Sequence, residues 1–192
     1  MQNDADDGEF ARLRAEGWAL IKIEVVFADQ PRGELTQRLR RQLEKAEELF
    51  QKALQLKPES SGCLWAIGKI RDRLEDYERA FDYFARSSDR NRADAEAPRD
   101  AALAAQMCGK GDEAVSYSLR ALGLKPDDAG LRANLAMSYL IQGNLPLARE
   151  AAANAVLQSP GDTISRQVLG LIEDVTEGRR ARPTTLRGLR EL

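Results

Sequence analysis

The chain has 192 residues, 31% of them charged and only 6% aromatic, with a formal charge of −2 spread over 29 basic and 31 acidic side chains. That length can bury a core without a disulfide or metal, and the balanced charge gives no overall field to hold nucleic acid or a lipid surface. Histidine is absent, which removes histidine-dependent triads and histidine metal ligands.

The two cysteines, Cys63 and Cys108, form no Cys-x-x-Cys pair, so they read as reduced structural thiols rather than a disulfide framework or zinc site. Tracts of Ala, Leu, Glu, Arg and Gln make helix the first expectation. Residues 62–69 begin with Gly62 and end with Lys69 in the manner of a phosphate-binding loop. The spacing is one residue too long for that motif, and Ile70 follows where Ser or Thr is required. The paired carboxylates Asp6-Asp7, Glu47-Glu48 and Asp127-Asp128 read as solvated surface. No enzymatic role, cofactor or metal is expected.

In chain order, residues 1–9 form an acidic, flexible lead with Asp4, Asp6, Asp7 and Glu9. A first helix is expected over residues 10–28 around Trp18, Ile21 and Val25, followed by an extended turn at residues 29–33. A second helix carries Ala46, Phe50 and Ala53 and ends before Pro58, completing a degenerate first unit over residues 10–60. From Ala46 onward the chain repeats: Ala46, Ala80, Ala114 and Ala148 are spaced by 34 residues, and Pro58, Pro126 and Pro160 each follow twelve residues after an alanine.

Residues 61–94 place Leu64, Ile67, Gly68, Tyr77, Ala80 and Phe84 in the repeating slots but have Ser87 and Ser88 and no closing proline. Residues 95–128 supply Ala101, Ala102, Gly109, Ala114, Ala121 and Pro126. Residues 129–162 are the clearest unit. Leu135, Ala136 and Tyr139 share a helix face, Gly143 ends that helix, and Asn144 with Pro146 starts the next, which carries Ala148, Ala152 and Ala155. Residues 163–177, with Leu169 and Gly170, supply one further helix as a cap. Residues 178–192 are a basic tail, with Arg179, Arg180, Arg182, Arg187 and Arg190 against Glu191. It reads as solvated and disordered at its start, with Leu186 and Leu189 placed to dock as a short helix. Its functional reading is contact with an acidic partner or nucleic acid.

The recurring order of a bulky residue, Leu-Gly, Tyr, then Ala, an aromatic, Ala and Pro resembles the tetratricopeptide repeat over about residues 10–177. The resemblance implies an all-α, right-handed α-solenoid of helix-turn-helix repeats whose first helices line a concave groove for a protein or peptide. Carried over by repeat position, it implies partner contacts at Trp65, Lys69, Arg73, Arg99, Met107, Met137, Leu140 and Ile141, with Gln106 beside them.

Trp65 follows Leu64, which fills the buried slot, so its indole serves either as a groove anchor or as packing under the neighbouring repeat. Lys69, Arg73 and Arg99 either hold a carboxylate or phosphate or pair with Asp72, Glu96 or Asp100. Met107 and Met137 suit an adaptable apolar wall, or core filling. Asn134 matches the middle asparagine with which one subset of the family clamps the C-terminal carboxylate of heat-shock chaperones. The flanking positions hold Leu103, Ile164 and Val168, so an internal segment with acidic and apolar residues is the expected ligand instead.

The expected function is therefore that of a protein-interaction adaptor in complex assembly. Its alternatives are a structural or self-associating subunit and a dedicated chaperone for secreted subunits. No small-molecule substrate or membrane insertion is expected, and nucleic acid is disfavoured. The acidic start is unlike a secretory signal, so the chain reads as cytoplasmic, or as the soluble part of a secreted or anchored protein.

Overall fold

A computed structural model describes residues 2–26 and 34–187, with side chains described over residues 5–21 and 34–187. Among these residues there are nine helices and no strand. The turn expected at residues 29–33 and the tail residues Leu189, Arg190 and Glu191 lie outside them, as does the side chain of Val25. The chain divides into two compact units at Asn91.

The first unit is built from α1 (Gln2–Val26), α2 (Gln37–Leu56), α3 (Ser61–Arg73) and α4 (Tyr77–Arg90). It consists of two antiparallel hairpins, α1 with α2 and α3 with α4, joined by packing of α2 on α3. The lead expected to be flexible is instead helical from Gln2. Acidic residues in the first turns favour the positive end of the helix dipole, and Arg12 bridges Glu9 and Glu16 one turn to either side. Lys57 pairs with Asp7 at 2.8 Å and lies over the ring of the buried Phe10, fixing this end of α1 to the loop after α2.

Both hairpins are pinned by the same device. A side chain at Gly17 would meet the Phe50 ring at 2.8 Å, and one at Gly68 would meet the Phe84 ring at 2.6 Å, so the aromatic of each second helix fills the space that a side chain on the first would need. Phe50, Phe84, Leu43, Leu64, Ile67 and Ile70 are fully buried. Glu47, expected to be solvated, is also buried, because Arg71 of α3 reaches it with Nη2 at 2.6 Å and Nε at 3.0 Å. Where the second repeat lacks a closing proline, the buried Ser87 hydroxyl donates to the carbonyl of Ser61 at 2.9 Å.

The second unit contains α5 (Glu96–Cys108), α6 (Gly111–Leu124), α7 (Ala129–Gln142), α8 (Leu145–Gln158) and α9 (Thr163–Thr176). Each of α6, α7, α8 and α9 packs on the helix before it, and α7 also touches α5 and α9. Gly109 and Gly143 end α5 and α7 in the left-handed conformation, at φ 73° and 98°, so each hairpin turns within two residues. Asp128, Asn144 and Asp162 cap α7, α8 and α9 by accepting backbone N–H groups. The Ser165 hydroxyl and N–H hold the Asp162 carboxyl below its ordinary pKa.

Side chains at Ala136, Ala148, Ala152 and Ala155 are wholly buried, small enough to let these helices cross closely around Leu140 and Ile172. A polar cluster crosses the same core. Gln106 of α5 donates to the Ser138 hydroxyl at 2.8 Å and to the Asn134 carbonyl at 3.0 Å, and the Ser118 and Ser138 hydroxyls lie 2.8 Å apart.

Candidate partner-binding site

The nine residues expected to meet a partner fall in both units. Trp65, Lys69 and Arg73 belong to the first, and Arg99, Met107, Asn134, Met137, Leu140 and Ile141 to the second.

On α3, Trp65, Lys69 and Arg73 follow one another at four-residue steps and share a face. Trp65 is half-buried. Its ring centre lies 6.0 Å from that of Trp18 on α1, and Trp18 in turn meets Phe50 edge-on at 5.4 Å. The Lys69 ammonium sits 5.5 Å from the Trp65 ring centre, within cation–π range. Lys69 and Arg73 each keep only 8% of their surface exposed, so these charges are enclosed and not displayed to solvent. The indole therefore carries both a packing contact with the preceding hairpin and a part-exposed edge.

In the second unit, Arg99 is engaged within its own helix. Its guanidinium reaches Glu96 at 2.6 Å and Asp100 at 3.0 Å, and Asp100 is almost fully buried. Asn134 is half-buried and contributes its main-chain carbonyl to the Gln106 and Ser138 cluster. Met107, Met137, Leu140 and Ile141 are all buried.

Part of the cover over this apolar face comes from the tail. Gly178, at φ 73°, ends α9 and turns the chain back, with Arg179 and Arg180 donating N–H groups to the Asp174 carbonyl. The segment then crosses the C-terminal ends of the two first helices. Arg182 donates to the carbonyls of Ile141 at 2.6 Å and Leu140 at 3.3 Å on α7, and the Leu186 N–H donates to the Gln106 carbonyl of α5 at 2.9 Å. Pro183 is buried, and Leu186 packs on the cluster that includes Met137 and Leu140.

The segment runs close against both end glycines. A side chain at Gly109 would lie 3.0 Å from the Thr184 carbonyl, and one at Gly143 would lie 3.5 Å from the Arg182 guanidinium. The solvated reading of the tail is thus corrected at Pro183 and Leu186, while Arg179, Arg182 and Arg187 remain exposed. The last carbonyls of a helix need donors and carry the negative end of its dipole, and Arg182 with the Leu186 amide answers that need. The expected short helix around Leu186 is not what docks: residues 181–186 are non-helical.

Of the residues that make this contact, the sequence pointed to Leu186, Leu140, Ile141 and Gln106 but gave no sign of the capping role of Arg182 or of the cover over Gly109. The available signal was the proline after Arg182, which disfavours helix and holds the chain extended.

These hairpins define the class: the fold is an all-α solenoid of helix-turn-helix repeats of the tetratricopeptide type. No protein-family model matches the chain, and no curated protein matches it in sequence. Among solved structures it is similar to MamA from Desulfovibrio magneticus RS-1, at 20% identity and a TM-score of 0.65 over 85% of this chain and 86% of that one. It is also similar to YrrB, described as a tetratricopeptide protein with an unusual peptide-binding site, at 21% identity and a TM-score of 0.63 over 74% and 73%. The second tetratricopeptide domain of human RPAP3, solved with an HSP70 peptide, is 24% identical with a TM-score of 0.52, covering 55% of this chain and 88% of that domain. Among the described residues no helix is long and apolar enough to cross a membrane.

Proposed function

We propose that the protein is a non-catalytic interaction adaptor that holds an extended peptide segment of a partner against the first helices of its repeats and so helps assemble a larger complex. The observation that carries this reading is the docking of residues 182–186 across α7 and α5. The main-chain carbonyls of Leu140, Ile141 and Gln106 and an apolar surface together hold an irregular segment there. Main-chain hydrogen bonds with one or two side-chain anchors are a general means of binding extended peptides. The likeness to YrrB and to the RPAP3 domain supports the same class of role. On α3, the part-exposed Trp65 with Lys69 beside it offers a second anchor, for an apolar or aromatic side chain.

The reading is tested by panning a random library of short peptides against the purified chain. Enriched peptides should bind one per chain with dissociation constants on the order of micromolar, a typical strength for short segments. A library that yields no binder beyond those recovered on the urea-unfolded chain would count against it.

A further inference from the structure

We propose that residues 182–186 are a resident occupant of the partner site in the second unit, and that the partner segment displacing them has the same chemistry: an arginine, a proline directly after it, and a leucine four residues beyond the arginine. This rests on the adaptor reading and specifies its ligand.

Each element of the pattern answers a feature of the site. The arginine meets the last carbonyls of α7, at Leu140 and Ile141, where the helix dipole is negative. The proline is buried where no N–H is needed, and it holds the arginine before it out of the helical conformation. The leucine supplies an N–H to Gln106 and a side chain to the cluster around Met137.

Arg182 on α7 and Leu186 on α5 are four residues apart, and the bent segment between them reaches from one first helix to the next. The segment therefore places one anchor on each hairpin. Gly109 sets the closeness of approach, because any side chain there would press on the Thr184 carbonyl at 3.0 Å.

The resident is built to leave. Arg182 and Thr184 are exposed and Leu186 is only half-buried, so the segment lies at the surface, where an outside segment can compete for its contacts. It stays because the short connection from α9 gives it a local concentration on the order of millimolar, which an outside segment must overcome. Opening the site should therefore raise the affinity for an outside segment by at least about tenfold.

The probe is a fluorescent peptide of residues 181–187, titrated into three proteins: the full chain, a chain ending at Arg180, and the full chain carrying Arg182→Glu with Leu186→Ser. Circular dichroism verifies that each remains helical. The peptide should bind both opened proteins at least tenfold more tightly than the full chain, and peptides carrying either substitution should lose that binding. In the intact chain, excess unlabelled peptide should accelerate tryptic cleavage after Arg187, a readout that needs no variant.

Equal binding to closed and opened proteins would overturn the proposal, as would unchanged cleavage of the intact chain. A dimer of full chains that exchange tails, with no gain on opening, would overturn it too. If the opened proteins bind library peptides but not this one, the ligand assignment fails and the adaptor reading stands. If they bind no peptide at all, both fail.

Discussion

Glu75 lies 34 residues before Gly109, which lies 34 before Gly143, and all three adopt positive φ at the turn of their hairpins. Only the first carries a side chain, at φ 63°, where the Cβ crowds the backbone. Glu75→Gly should therefore stabilise the first unit by about 0.5–1 kcal/mol in chemical denaturation, the relief of strain outweighing the added freedom of the unfolded chain. A loss of stability would mean that the contacts of the Glu75 side chain outweigh its backbone strain. Cys63 offers a second test at this scale. Its thiol is fully buried and burial pushes its pKa up, so little thiolate forms at neutral pH. In iodoacetamide labelling near pH 8, Cys63 should react roughly a hundredfold more slowly in the folded chain than in urea. The half-buried Cys108 should be modified first.

Between elements, the polar cluster of Gln106, Ser118 and Ser138 fixes the register of three helices inside an otherwise apolar core. Ser138 is its hub. Removing that hydroxyl leaves the Gln106 amide one acceptor short and the Ser118 hydroxyl unpaired, so Ser138→Ala should cost about 1–3 kcal/mol. Ser118→Ala should cost less, since Ser138 still donates to the Asn134 carbonyl. Equal losses in urea titrations of the two variants would show that the cluster has no hub.

The helices of the third and fourth repeats were legible because Ala at a fixed spacing, with Gly after the first helix and Pro after the second, leaves one way to place them, and the second repeat followed from its Ala80 and Phe84 in the same register. The first hairpin was harder to read. Gly17 receives Phe50 just as Gly68 receives Phe84, but 33 residues separate the first pair and 16 the second, so a 34-residue template misses it. Burial of Glu47 was invisible for a related reason. It depends on Arg71, 24 residues away on the next hairpin, and a carboxylate pair by itself looks like surface.

For the molecule as a whole, the period of the sequence specified which faces meet inside each unit but not what covers a face left over. Met107, Met137, Leu140 and Ile141 share a pattern that serves equally for a groove wall or a core. Their burial follows from neighbours, among them a tail with no helical or strand periodicity to announce it. Arg182 and Leu186 dock that tail across α7 and α5, and the proposed function depends on it. Hydrogen exchange at the Leu186 amide tests this most directly, because in the structure that N–H donates to the Gln106 carbonyl. The account predicts exchange at least about tenfold slower than in the free peptide of residues 181–187, with the protection lost in Arg182→Glu with Leu186→Ser. Exchange at the free-peptide rate in the intact chain would contradict it.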